Sequence, residues 1–175
     1  PVTQIVTWKG MQVLLADMNA DWLAALVGYD PKTGRVIWAA GKGDGKFDML
    51  RPGRANLATE ATLLASDFDG DGLTDLALVK ERDVYVASGT PKGPGPTSLC
   101  RAKGFGGQLA AGDFDGDGLG DICSYKPGVE KNLSIAYGQS DGGFGAMKAS
   151  PWNPGKVGGI IFAADFNGDN YCDIG

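Results

Sequence analysis

The sequence predicts an all-β fold, a β-propeller of four-stranded antiparallel blades, about three and a half of them in this chain. Three observations lead there. An acidic motif recurs as "ADMNADWLAAL" (16–26), "SDFDGDGLTDL" (66–76), "GDFDGDGLGDI" (112–122) and "ADFNGDNYCDI" (164–174), at intervals of 50, 46 and 52 residues. Around each copy run apolar stretches of strand length, separated by Gly, Asp and Pro turns. No segment keeps a 3.6-residue apolar period, so helices should be few.

Each repeat divides the same way. An apolar stretch precedes every motif, "MQVLLA", "ATLLAS", "GQLAAG" and "GIIFAA", and gives a first strand. "DLALVK" and "DICSYK" follow the motif as second strands, and "VYVASG" and "LSIAYG" supply third strands. A Gly-Asp-Gly turn then recurs, "GKGDGKF" (41–47) and "GQSDGGF" (138–144), ahead of fourth strands in "KFDMLR" and "FGAMKAS". The chain thus reads as one domain over 1–175, with repeats at about 9–58, 59–104 and 105–156 and an incomplete one at 157–175. Residues 2–7, "VTQIVT", read as the last strand of a preceding blade. The two residues before each first Asp are small apart from Leu15, which suits an innermost strand crowded around a narrow channel.

The chemistry of the motif follows from its spacing. In D-x-D-x-D-G-L-x-D, alternate side chains of a tight loop converge, so Asp67, Asp69, Asp71 and Asp75 bring carboxylates together and Leu73 adds a backbone carbonyl. Carboxylates about 5 Å apart repel by roughly 3 kcal/mol per pair at an effective dielectric near 20. Such a nest needs a cation or bound protons. All-oxygen ligation in a flexible loop favours Ca²⁺ over Zn²⁺, which would call for Cys or His; the sequence contains no His. Gly72 and Gly118 should take a positive φ, which Asn170 tolerates almost as well. An EF-hand is excluded, because the last acid falls at position 9 rather than 12 and strand-like sequence follows.

The stretch "FGGQLAAGDFDGDGLGDI" (105–122) resembles the FG-GAP/VCBS repeats of integrin-α-like propellers and of calcium-binding propeller lectins. The resemblance implies one Ca²⁺ in the loop between the first and second strands of a blade. Carried over by position, Asp67, Asp69, Asp71, Leu73 and Asp75 hold one ion. Asp113, Asp115, Asp117, Leu119 and Asp121 hold a second, and Asp165, Asn167, Asp169, Tyr171 and Asp173 a third. The first copy keeps Asp17, Asn19 and Asp21, but Ala25 replaces the last acid and Trp22 the glycine, so weak or no binding is expected there. Three bound ions would move the formal charge from −5 to about +1. A loop that recurs blade after blade suits a structural ion more than a catalytic one. Seven-bladed rings are common in such families, so the chain reads as part of a larger ring, completed by further sequence or a second copy, or as a small closed ring.

Composition narrows the function classes. Thirteen of the 21 acids lie in the four motifs, which leaves 8 acids against 16 bases elsewhere. No basic stripe with interleaved aromatics points to nucleic acid, and no apolar run is long enough to cross a bilayer. Beginning at Pro1, the sequence reads as a processed product or an excised piece, expected outside the cell. Cys100, Cys123 and Cys172 then suggest one disulfide and an orphan, or a partner outside the chain, against the alternative of buried thiols. "NLS" (132–134) is a glycosylation sequon expected in a loop. Trp38 is expected in the core; Trp8 and Trp152 either stack on sugars or pack between blades.

Three readings of function remain. The favoured one is a secreted, non-catalytic, glycan-binding module of lectin type. The second is a structural or cell-adhesion protein that contacts other extracellular proteins or its own copies. The third is the propeller of a polysaccharide-acting enzyme, disfavoured because no His-containing catalytic set is possible.

Overall fold

Fourteen strands and no helix form among the described residues of the computed structural model, which are 8–56, 58–102, 104–128, 132–152 and 159–175. The first sheet has the order β1 (Gln12–Ala16), β2 (Ala25–Asp30), β3 (Arg35–Ala39), β4 (Arg51–Asn56). The second is β5 (Thr62–Ser66), β6 (Asp75–Lys80), β7 (Asp83–Ala87), β8 (Thr97–Arg101). The third is β9 (Gln108–Gly112), β10 (Asp121–Tyr125), β11 (Leu133–Ala136), β12 (Lys148–Ala149). A two-stranded sheet pairs β13 (Ala163–Ala164) with β14 (Asp173–Ile174). All neighbours are antiparallel and follow chain order, which is the meander of a propeller blade. The expected strand at 2–7 lies outside the described residues.

The register is the same in every sheet. Ala16 faces Ala25, Ser66 faces Asp75, Gly112 faces Asp121 and Ala164 faces Asp173, so each acidic motif is the hairpin loop between first and second strands. The first strands lie side by side, β1 next to β5, β5 next to β9 and β9 next to β13. Crowding along that row explains the small residues: a Cβ on Gly112 would sit 2.2 Å from Cys172 Sγ. The fourth strands begin later than expected. Phe47 and Phe144 make only isolated bridges to Gly41 and Gly138, and pairing resumes at Arg51 and Lys148.

The core lies between the sheets. Leu76 and Leu78 of β6 pack against Val27, Tyr29 and Trp38 of the first sheet, whereas Ala77 and Val79 face Ile122 and Phe144 of the third. Burial on both faces is why "DLALVK" reads as an unbroken apolar run instead of an alternation. A third cluster joins Cys123, Tyr125, Leu133 and Ile135 to Ile161 and Ile174. Polar contacts also cross between sheets. Gln12 on β1 donates from Nε2 to the Ala61 carbonyl at 2.7 Å and accepts at Oε1 from Leu63 N–H at 2.8 Å. The buried Tyr29 hydroxyl donates to the Ala58 carbonyl and accepts from Ala61 N–H.

The expected disulfide does not form: Cys100, Cys123 and Cys172 are all free. They sit in different environments, Cys123 buried on β10 and Cys100 on the outermost strand β8, its thiol donating to the Gly142 carbonyl at 3.0 Å. Burial pushes the Cys123 thiol up to about 12. The sequon residue Asn132 precedes β11, outside any strand as expected, but is buried at 4% exposure. Trp38 is core as expected, and Trp8 packs between segments, its ring lying where a Cβ on Gly28 would be. Trp152 is exposed.

Trp38 also seals the contact of the first sheet with the second. A Cβ on Gly93 would come within 2.3 Å of its ring, and Gly93 has a φ of +93°. Gly93→Ala is therefore expected to lower unfolding stability by about 3 kcal/mol, combining overpacking with a left-handed backbone; chemical denaturation would measure it.

Candidate metal centres

Each acidic loop is organised by its first carboxylate. Asp67 Oδ1 accepts from Gly70 N–H at 2.7 Å and Asp71 N–H at 3.1 Å, and its Oδ2 accepts from Gly72 N–H at 2.7 Å. Asp113 repeats this with Gly116 and Gly118 at 2.6 and 2.9 Å, and Asp165 with Gly168 and Asn170 at 2.6 and 3.0 Å. The N–H groups can converge only if two residues turn left-handed. Gly70 and Gly72 do so at φ +76° and +83°, and Gly168 and Asn170 at +80° and +67°. The sixth position was legible in the sequence; the fourth was not, although a glycine marks it in three copies.

Two nests of carboxylates result. One oxygen each from Asp67, Asp69 and Asp71 lie within 4.8 Å of one another, and so do oxygens from Asp113, Asp115 and Asp121. Oxygens bound to one Ca²⁺ at about 2.4 Å can be at most about 4.8 Å apart, so both trios fit a single coordination sphere of a hard cation. The nests differ in membership: Asp75 is not gathered into the first, nor Asp117 into the second. Asp165, Asn167, Asp169 and Asp173 share a third loop of the same hydrogen-bonding pattern, with Asn167 Nδ2 donating to Asp169 Oδ2 at 3.0 Å. Leu73, Leu119 and Tyr171 follow at the seventh position, and their N–H groups donate to Asp71, Asp117 and Asp169.

The ninth-position acids do something that spacing did not reveal. Asp75 and Asp121 are fully buried. Asp75 accepts from Phe68 N–H at 2.8 Å and Gly89 N–H at 2.5 Å, and Asp121 accepts from Phe114 and Gly138 N–H, both at 2.8 Å. Each thereby ties its loop to the end of the third strand. Burial, only partly offset by these donors and reinforced by the neighbouring acids of the loop, pushes both carboxyls up to about 6. Successive loops are also joined to each other. The Asp67 carbonyl accepts from Gly120 N–H at 2.6 Å, and the Asp113 carbonyl from Cys172 N–H at 2.7 Å. The side chains of Leu119 and Tyr171 lie over Gly70 and Gly116, where a Cβ would meet them at 2.8 and 2.2 Å.

The first loop keeps the shape but lacks the ninth-position acid, where Ala25 stands. Asp17 accepts from Trp22 N–H at 2.8 Å, and Asn19 Nδ2 donates to Asp21 Oδ2 at 2.9 Å. Ala20 and Trp22 hold the left-handed positions at φ +56° and +65°.

Antiparallel four-stranded blades, with an acidic hairpin between first and second strands, define the fold as a β-propeller. Residues 67–124 match the family described as FG-GAP-like repeat. Among solved structures, the chain is similar to a lectin of Agrocybe aegerita described for specific recognition of non-reducing terminal N-acetylglucosamine. The TM-score is 0.66 at 22% identity, over 93% of this chain and 45% of the lectin chain. It is also similar to the Tc holotoxin pore of Photorhabdus luminescens, with TM-score 0.56 and 18% identity over 99% of this chain and 8% of that one. The chain thus spans less than half of either. No curated protein matches it in sequence.

Two predictions follow from the loops. Trp22 is 94% exposed and loses little packing on removal, so Trp22→Gly is expected to raise stability by about 1 kcal/mol through relief of left-handed strain, read by urea denaturation. The second concerns pH. In EDTA the folded protein keeps protons on Asp75 and Asp121 up to about pH 6, whereas the unfolded chain releases them near pH 4. The native state then binds more protons, so stability falls as pH rises from about 4 to 6 and levels off above, by on the order of 2–3 kcal/mol per carboxyl. With millimolar calcium the slope should reverse, because the ion competes with the protons for these loops. Melting temperatures across that window, with and without calcium, provide the check.

Proposed function

We propose that the chain is a calcium-stabilised, non-catalytic recognition module of an extracellular protein and that it binds glycans. The observation that carries the glycan reading is the similarity over 93% of the chain to a lectin that recognises terminal N-acetylglucosamine. Support for calcium is the fit of two carboxylate trios to one coordination sphere each. In this reading the ions are staples: each holds the hairpin between a first and a second strand, which fixes the innermost edge of a sheet against its neighbours. Exposed loops built from three or four acids suit the sub-millimolar to millimolar affinities of extracellular calcium modules. A non-catalytic role is supported by the lack of His in the sequence and by the use of Asp75 and Asp121 to hold backbone N–H groups.

A second reading, protein–protein contact, draws on the exposed Ile160, Phe162 and Phe166 on and beside the β13–β14 sheet, an apolar surface of the kind that interfaces bury.

On a glycan array, calcium-loaded protein is expected to bind saccharides ending in N-acetylglucosamine or a related sugar and to lose that binding in EDTA. Absence of signal from every glycan, with calcium present and the fold intact, would rule out the lectin reading in favour of the second.

A further inference from the structure

The contacts between successive sheets repeat, and one of them is missing. Gln12 on β1 bridges to the next first strand by accepting from Leu63 N–H and donating to the Ala61 carbonyl. Gln108 on β9 makes the same bridge two interfaces further on, between the third and fourth sheets, accepting from Ile161 N–H at 2.8 Å and donating to the Gly159 carbonyl. Both glutamines stand five residues before the first Asp of their loop, and both face a tyrosine on the second strand, Tyr29 and Tyr125. Between the second and third sheets the pair is replaced. Thr62 holds the glutamine position and faces Val79 where the tyrosine would be.

Threonine is two bonds shorter than glutamine and cannot span the gap, and valine offers neither the bulk nor the hydroxyl of tyrosine. A cavity of about 350 Å³ opens at this place, with Thr62, Val79, Phe105, Gly107 and Leu109 among its walls and Glu60 and Lys80 at its edge. Glu60 is exposed and paired with Lys80 at 3.6 Å. Leu109 pairs with Ser124 as Leu63 pairs with Leu78, so its N–H lies on the strand edge that Gln12 occupies in the first interface. The cavity therefore offers a backbone donor without its glutamine, an aromatic wall and an exposed carboxylate–ammonium pair. It lies at the end of the sheets opposite the acidic loops, because Thr62 begins the strand that Ser66 ends.

We propose that this cavity is a saccharide-binding site, filled by a pyranose ring that replaces the missing glutamine. One ring hydroxyl accepts from Leu109 N–H while a vicinal hydroxyl donates to the Glu60 carboxylate, and an apolar face of the ring rests on Phe105. Two adjacent hydroxyls reproduce the accept-and-donate pattern of a carboxamide, and a volume of about 350 Å³ lies within the range of small-molecule sites. The site rests on the glycan reading given above and adds where the sugar sits.

The test is an NMR titration of the calcium-loaded chain with a panel of methyl glycosides, including that of N-acetylglucosamine, followed through the Leu109 amide. Thr62→Gln should restore the bridge, fold with an unfolding midpoint at or above that of the parent, and weaken sugar binding by at least about tenfold. A sugar that binds while shifting other amides and leaving Leu109 unmoved, or that binds Thr62→Gln as well as the parent, would overturn this site and leave the glycan reading standing. If no sugar perturbs any amide, both fall. Should Thr62→Gln fail to fold, the response of Leu109 in the parent decides alone.

Discussion

A carboxylate that accepts several backbone N–H bonds at once is the contact on which this architecture turns. A two-strand hairpin of eight connecting residues would leave unpaired amides pointing into its own loop. Asp67, Asp113 and Asp165 collect those amides, and in doing so they bend the chain so that later acids approach the first. The loop that solves a hydrogen-bonding problem therefore creates an electrostatic one, a local excess of negative oxygen. Burial of Asp75 and Asp121 deepens it, because a carboxylate removed from water and placed beside others resists ionisation. A divalent cation would answer that excess, and protons would answer it in part.

From these loops outward the sheets are held by less demanding means. Second strands such as β6 carry apolar side chains on both faces and act as the shared wall of two interior clusters. Glycines appear at close approaches between segments: Gly28 under Trp8, and, between one sheet and the next, Gly93 under Trp38 and Gly112 under Cys172. Each marks a point where no side chain would fit. Polar bridges from Gln12, Gln108 and Tyr29 then lock the first strands edge to edge.

Much of this could be read from the residues. Repeated acids located the hairpins, and apolar runs of five or six residues located the first, second and third strands, because each local signal agreed with the repeat. The fourth strands were read too early, since "KFDMLR" and "FGAMKAS" carry strand-like residues but spend them on a turn closed by Phe47 and Phe144. The buried role of Asp75 could not be read, because burial depends on the third strand that delivers Gly89 N–H, far from it in sequence. An odd number of cysteines suggested a bond that the geometry does not make; parity says nothing about distance. The glutamine bridge was visible in principle, as Gln12 and Gln108 share one place in the repeat, but one side chain recurring in two copies out of four gives no signal without its partner strand.

The Asp67 carbonyl accepts from Gly120 N–H and the Asp113 carbonyl from Cys172 N–H, with Leu119 and Tyr171 lying across the preceding loop. Neither the loop at 67–75 nor the loop at 113–121 can loosen without releasing an amide of the one behind it. Unfolding should spread as in a row of coupled units with nearest-neighbour terms, so that the array melts as a zipper whose weakest tooth is the loop at 17–25, where Ala20 and Trp22 are the residues under backbone strain.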